Sequence, residues 1–220
     1  MRIITNLHYE RGAEIGRGNF GIVYLADDPQ LGGIVAVKEI PKSNFTNAAE
    51  FFQEAKAMFA SECPNVLPIR YASATSTHVC FAMPYMRNAS LEKRIAFNPL
   101  SIQDVIRVGQ GMLNGLTRIH LANLIHFDVK PSNILFSDSG EAMVGDFGQT
   151  RAIAASGVAL LPDIYTVTMP PEAVAGFVGS VVCDIYQAGL TLYRAVNGEP
   201  HWQSIVPLPS LAADLILRRK

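Results

Sequence analysis

The sequence predicts an α+β fold, with a small β-sheet lobe followed by a larger helical lobe, and three observations carry that expectation. Short runs of alternating apolar and polar residues fill about the first 85 positions, separated by Gly-rich turns. One helical stretch interrupts them. From Ser90 onward the apolar spacing changes to that of helices, and strands gathered before helices favour a separate sheet and helical layer.

Element by element, residues 9–15, 21–27 and 34–40 read as strands, with "DDPQLGG" as a hairpin signal between the second and third. A helix is expected over residues 48–59, where Phe51, Phe52, Ala55, Met58 and Phe59 recur at helical spacing. "CPNV" stops it, and residues 67–72 and 78–83 supply two further strands, making five. Ser101 is an expected N-cap for a long helix, with Asp104 favourable to its exposed amides. Val105, Met112, Leu113, Leu116 and Ile119 form its expected buried stripe. A last apolar helix is expected over residues 181–196.

The composition is that of an ordinary globular chain: 220 residues, 49% hydrophobic, 17% charged, with a net charge of −1. That balance gives no reason to expect a nucleic-acid or membrane partner. Cys63, Cys80 and Cys183 are widely spaced and form no C-x-x-C, which favours a reducing compartment. The N-terminal residues lack the apolar core of a signal peptide, and no apolar run is long enough to span a bilayer. A cytoplasmic domain is expected.

Chemistry-bearing residues fall in three groups. The first is Gly16-x-Gly18-x-x-Gly21-x-Val23, set between two strands rather than between a strand and a helix. Glycines there let backbone N–H groups approach phosphate oxygens, and the context argues against a Rossmann site. The second is Lys38, whose strand points Val35 and Val37 one way and Ala36 and Lys38 the other. A core-facing lysine needs an anionic partner, and Glu54, at the edge of the helix's apolar stripe, is the candidate. The third is "LIHFDVKPSNILFSDSGEAMVGDFGQ", residues 124–149, where His126, Asp128, Lys130, Asn133 and Asp146 crowd together. Asp128 could orient a hydroxyl and take its proton, Lys130 could neutralise a transferring phosphoryl group, and Asn133 and Asp146 offer hard oxygens suited to Mg²⁺.

With "GRGNFGIV", "VAVK", the helix glutamate, "HFDVKPSN", "DFG", "PPE" and "CDIYQAGLTLYRAVNGEP" in this order, the chain resembles the eukaryotic-like (Hanks-type) Ser/Thr protein kinases. The resemblance implies a bilobal protein-kinase fold: a five-stranded antiparallel N-lobe sheet with one helix over about 1–83, a hinge at 84–87, and a mainly helical C-lobe over 88–220. It implies ATP and Mg²⁺ as cofactors and a protein Ser/Thr hydroxyl as substrate. Carried over, Lys38 would hold the α- and β-phosphates and pair with Glu54. Asp128 would be the catalytic base, Lys130 the γ-phosphate contact, Asn133 and Asp146 the metal ligands. Glu172 would close the activation segment and Asp184 would buttress the catalytic loop. The lysine two residues after Asp128 is the Ser/Thr form of this loop. Met83 would guard the adenine pocket, Pro84 would offer its carbonyl and Met86 its N–H, with Val23 and Ala36 above the base and Leu135 below.

The chain also departs from that pattern. Phe127 stands where the family usually has an arginine that pairs with an activation-loop phosphate, so control by that route is expected to be lost. The segment 149–169 is mostly small and apolar, and is expected to pack apolarly against its own lobe or a partner, with Leu160 and Leu161 as its bulk. Tyr165, Thr166 and Thr168 lie near the position of the family's threonine that contacts the catalytic pair. Only 48 residues follow Glu172, so the C-lobe reads as truncated at its end, and Glu172 lacks its usual arginine partner. Arg218, Arg219 or a protein partner completing the lobe would take that place, and "HWQSIVPLPSLAADLIL" is apolar enough to dock one. Two other readings compete: a pseudokinase or nucleotide-binding scaffold, and a small-molecule kinase, which would generally lack Lys130, "DFG" and "PPE".

Overall fold

A computed structural model describes residues 9–18, 21–29, 32–162 and 168–198. Its first part is a five-stranded antiparallel sheet built from β1 (Glu10–Arg17), β2 (Ile22–Asp28), β3 (Gly33–Pro41), β4 (Tyr71–Ala74) and β5 (His78–Pro84), in the order β1-β2-β3-β5-β4. Register fixes which side chains share a face. Leu25, Ala36 and Met83 stand opposite one another across β2, β3 and β5, as do Val23, Lys38 and Phe81. The alternate positions Val35, Val37, Cys80 and Ala82 bury the other face together with Ala26, beneath Tyr9 and Tyr71. Both faces of β3 are therefore covered, which explains its nearly continuous apolar sequence.

The helix that packs on the sheet, α1 (Gln53–Ala60), is shorter than the periodicity predicts. Residues 48–50 form a 3₁₀ turn, and Phe51 and Phe52 precede the helix, packed with Phe45, Ile40 and Phe81. Ala55, Ala57 and Met58 are the helix's buried residues, whereas Phe59 is 70% exposed and not part of the core. Apolar contacts to the sheet set this junction more strongly than helical period does. The fourth strand likewise starts at Tyr71 rather than at 67, because Val66 and Leu67 are taken into the helical part's core.

Beyond Pro84 lie α2 (Leu91–Ile95), α3 (Ile102–Leu121), β6 (Leu124–Ile125), β7 (Ile134–Phe136), β8 (Ala142–Val144), β9 (Arg151–Ala152), β10 (Ala159–Leu160), α4 (Pro171–Gly176), β11 (Val178–Gly179) and α5 (Val181–Asn197). Ser90, Ser101 and Ser180 cap α2, α3 and α5, each hydroxyl accepting a first-turn N–H. Val105, Met112, Leu116 and Ile119 are buried as the stripe predicts, but Leu113 is 42% exposed, one position off the buried arc. The main core joins α3 to α2, α5, the β7–β8 hairpin and Phe147, and reaches Met58 of α1. This is the expected sheet lobe with one helix, followed by a mainly helical lobe. Among the described residues, no helix is long and apolar enough to cross a membrane.

Candidate active site

Lys38 is carried on β3 and points to the face that meets α1. Its Nζ donates to Glu54 Oε1 at 2.7 Å and to Asp146 Oδ1 at 2.8 Å, joining three residues up to 108 positions apart. The side chains of Lys38 and Glu54 are 10% and 11% exposed, whereas Asp146 is 44% exposed. Burial alone would push the Asp146 carboxyl up, but the Lys38 ammonium, helped by Lys130, holds it at about 2. Burial pushes the Glu54 carboxyl up, with Lys38 offsetting only part of it. The two acids share one cation yet move in opposite directions, since Glu54 is the more enclosed. Lys38 itself is raised: burial favours the neutral amine, but two carboxylates outweigh it.

The second group forms around a loop braced by α5. Asp184 is fully buried, and its carboxylate accepts the backbone N–H groups of His126 (2.9 Å) and Phe127 (2.8 Å) and a contact from His120 Nε2. Gln187, one helical turn on, accepts the Val129 N–H at 3.0 Å and donates to the Phe127 carbonyl at 3.1 Å. Thr191 donates to the Val129 carbonyl. These bonds hold Phe127 in a left-handed conformation, φ 63°, that a bulky side chain rarely adopts unaided. The resulting bend presents Asp128 beside Lys130 and Asn133. Lys130 Nζ lies 2.8 Å from Asp128 Oδ2, and Asn133 Nδ2 donates to the same oxygen at 3.0 Å and to the Asp128 carbonyl at 2.8 Å. Asp128 Oδ1 is buried and has no hydrogen-bond partner among the described residues. His126 Nδ1 accepts the Asp128 N–H, which leaves the proton on Nε2 to donate to the Gly145 carbonyl at 3.1 Å. That bond ties the loop to the segment bearing Asp146, which is itself left-handed at φ 59°.

The remaining expected site residues lie on β2, β3 and β5, just after Pro84, and on β7. Ala36 and Met83 are buried opposite each other on the sheet, with Val23 on the same face next to Lys38. Leu135 is half-buried, facing away from its buried neighbours Ile134 and Phe136. Pro84 ends β5 opposite Val35, and Met86 packs against the main core. In the glycine run, the Gly18 N–H donates to the Gly21 carbonyl; Asn19 and Phe20 lie outside the described residues. Gly21 is required for packing: a Cβ there would collide with the Glu39 carbonyl. A Cβ on Gly18 would meet no heavy atom within 4 Å among the described residues.

Phe127 is 1% exposed and sits in a separate apolar cluster with Ile125, Ala159, Met169, Ala173, Val174 and Cys183. Leu161 and Ile153 pack against this cluster, so the segment after Asp146 is apolar-packed against its own lobe. Leu160 does not take part and is 73% exposed. The segment is further pinned by β6–β9 and β10–β11 pairing, and a Cβ on Gly179 would stand 2.5 Å from the Phe127 ring. Glu172 departs from the expectation of a buried, unpaired charge: it is exposed in the first turn of α4, where a carboxylate is favoured. Thr168 is buried, whereas Tyr165, Thr166, Arg218, Arg219 and the "HWQSIVPLPSLAADLIL" stretch lie outside the described residues. Gln187, Thr191 and His120 escaped the sequence reading. Asp184, Gln187 and Thr191 recur at helical spacing on one face of an otherwise apolar helix, which is the mark that would have exposed two of them.

A five-stranded sheet followed by a mainly helical part thus carries a lysine–glutamate pair, an aspartate with one unpartnered oxygen, and the side-chain oxygens of Asn133 and Asp146. The model of the protein kinase domain matches residues 9–210, and the chain belongs to the protein kinase family. It is similar to the probable serine/threonine-protein kinase PknB of Lactococcus lactis, 30% identical over 193 residues that cover 84% of this chain and 31% of that protein. It is 32% identical over 203 residues to serine/threonine-protein kinase PknK of Mycobacterium tuberculosis, covering 89% and 18%. A further probable PknB, from Bifidobacterium longum, is 33% identical over 210 residues, covering 87% and 30%. The chain spans less than a third of the length of each of these relatives.

Proposed function

We propose that this chain is an active ATP-dependent kinase that phosphorylates serine or threonine hydroxyls of a protein substrate. The observation that carries the reading is the division of labour within one carboxylate. Asp128 Oδ2 is held by Lys130 and Asn133, while Oδ1 is buried and unpartnered. A buried acceptor of that kind is unfavourable unless a donor reaches it, and a substrate hydroxyl is such a donor. The hydroxyl proton passes to Oδ1 as its oxygen bonds the γ-phosphorus. The bond from that phosphorus to the β–γ bridging oxygen breaks, and ADP leaves. Lys130 offsets charge on the moving phosphoryl group, and Lys38, fixed by Glu54, positions the α- and β-phosphates. The Asn133 side-chain oxygen and the Asp146 carboxylate are the donors that would hold Mg²⁺, whose chemistry is to neutralise phosphate charge. Val23, Ala36, Met83 and Leu135 enclose the adenine, with the Pro84 carbonyl and Met86 N–H at its edge.

The apolar setting of Phe127 supports a second element: the activation segment is held without a phosphate, so activity is not switched by phosphorylating that segment. Cytoplasmic location, and a protein partner that completes the helical lobe, belong to the same proposal.

Intact-mass spectrometry before and after Mg–ATP, beside the Asp128→Asn variant, tests the reading. Gains of about 80 Da per phosphate are expected in the wild type, with transfer slowed on the order of 10²- to 10⁴-fold in the variant. Equal gains in both would remove Asp128 from the mechanism. Nucleotide binding without transfer to any protein would favour the scaffold reading.

A further inference from the structure

Two peptide planes meet at the Cα of Asp128, and side chains hold both polar atoms of each. In the plane before it, the Phe127 carbonyl accepts from Gln187 Nε2 at 3.1 Å and the Asp128 N–H donates to His126 Nδ1 at 3.2 Å. In the plane after it, the Asp128 carbonyl accepts from Asn133 Nδ2 at 2.8 Å and the Val129 N–H donates to Gln187 Oε1 at 3.0 Å. Among these four bonds, only those of Gln187 reach both planes. Asp184 acts one step earlier, on the N–H groups of His126 and Phe127. Backbone φ and ψ are the rotations of these two planes about the Cα, so holding both planes fixes the direction of the Asp128 Cα–Cβ bond. Gln187 is fully buried, and its helix is anchored in the main core through Ala188 and Ala195.

The two groups that Gln187 meets are of opposite kind, an acceptor before Asp128 and a donor after it. A carboxylate could answer only the donor, an ammonium only the acceptor, and a single hydroxyl oxygen cannot stand at both, whereas a side-chain amide carries one of each. The clamp also acts on a backbone with somewhere to go. Phe127 is held at φ 63°, and relaxation to the favoured negative φ would turn the plane that follows it, and Asp128 with that plane. We infer that Gln187 is a positioning residue for phosphate transfer: its amide brackets Asp128 and sets where Oδ1, buried and without a partner among the described residues, faces an incoming hydroxyl. This rests on the reading of Asp128 as the acceptor of the hydroxyl proton and extends it to what aims that acceptor.

The test follows transfer from Mg–ATP by the full chain to a peptide that the wild type selects from a Ser/Thr-centred library. Four forms are compared: wild type, Gln187→Met, Asp128→Asn and the double variant. Methionine keeps the length of the side chain and removes both hydrogen-bonding groups. A fall in kcat of roughly 10²-fold is expected, the scale of a small misplacement of a reacting group, with the KM values for ATP and peptide unchanged. In the Asp128→Asn background the same substitution should barely alter the residual rate, because a residue that acts through Asp128 has nothing left to aim. Gln187→Met also leaves two buried peptide groups without partners, so its thermal midpoint falls, and rates are read below it. Gln187→Asn covers the case in which that variant does not fold. Its shorter amide still answers one of the two groups, and a loss of about tenfold in kcat, again at unchanged KM, is expected. Wild-type kcat in either variant, or a full further loss when either is added to Asp128→Asn, would overturn the positioning role while leaving the kinase reading intact. Asp128→Asn as fast as wild type, or a wild type that transfers no phosphate, would overturn both.

Discussion

Two walls of packing, one on each side of the Asp128 loop, are held by opposite means. In one, Lys38, Glu54 and Asp146 form a charged cluster that bridges the sheet and the helical part. In the other, Phe127 anchors the segment after Asp146 through an apolar cluster with Ala159, Leu161 and Met169. The difference is instructive because the family pattern expects charge on both. A charged wall answers to pH and to salt, whereas an apolar wall is set by burial on folding.

The comparison breaks most sharply at Phe127. Restoring arginine (Phe127→Arg) puts an unpaired guanidinium among Ile125, Ala173, Val174 and Cys183, and loss of more than about 4 kcal/mol is expected, as for other buried uncompensated charges. Thermal unfolding measures it, and a fall in midpoint of roughly 10 °C corresponds for a chain of this size. A variant as stable as the wild type would mean that the cluster is looser than its burial indicates.

On the charged wall, Lys38→Met leaves Glu54 enclosed without its cation. About 3 kcal/mol is expected, at the low end for broken buried pairs because burial already favours a neutral Glu54. Adding Glu54→Leu should return most of that loss in urea denaturation, while phosphate transfer stays absent in both variants. If the double variant were less stable than the single one, the pair would be holding more than its own charges.

Within the activation segment the two adjacent leucines separate packing from exposure. Leu161→Ala is expected to cost about 1–2 kcal/mol, below the range for fully buried leucines, and to slow transfer. Leu160→Ala should stay within about 0.5 kcal/mol, as surface changes do. Reversal of that order would place the wrong leucine against Phe127.

These regions were not equally legible in the sequence. Alternation in β3 was enough to give Lys38 its face, and the position of Glu54 on its helix was enough to pair them, since both depend on periods of two and 3.6. The charge cluster's third member was identified by motif, but its contact with Lys38 across 108 positions is a product of lobe packing that no local pattern encodes. Phe59 and Leu113 show the limit of periodicity: both fit their helices' apolar stripes, and both lie exposed because the neighbouring surface ends before reaching them. Phe127 was legible as a departure. Its partners were not, because Ala159, Met169 and Cys183 are ordinary apolar residues until the chain brings them together.

A further small effect separates the two walls by a single variable. Asp146 is held at about 2, below its ordinary value, by Lys38, so its charged form is favoured by folding. Its contribution is therefore fully present above the ordinary carboxylate range and fades as pH falls from about 4 toward 2. Glu54 is raised, so it runs the other way, becoming less favourable as pH climbs past its ordinary value. Because Asp146 is 44% exposed, solvent screens the pair, and its share is expected to stay below about 1 kcal/mol. Urea titrations of wild type and Asp146→Asn should accordingly differ at pH 6 and converge by pH 2. The Phe127→Ala variant should keep a constant offset from wild type over the same interval, since no group in its cluster titrates there. A constant offset for Asp146→Asn instead would mean that the carboxylate contributes by shape and hydrogen bonding rather than by charge.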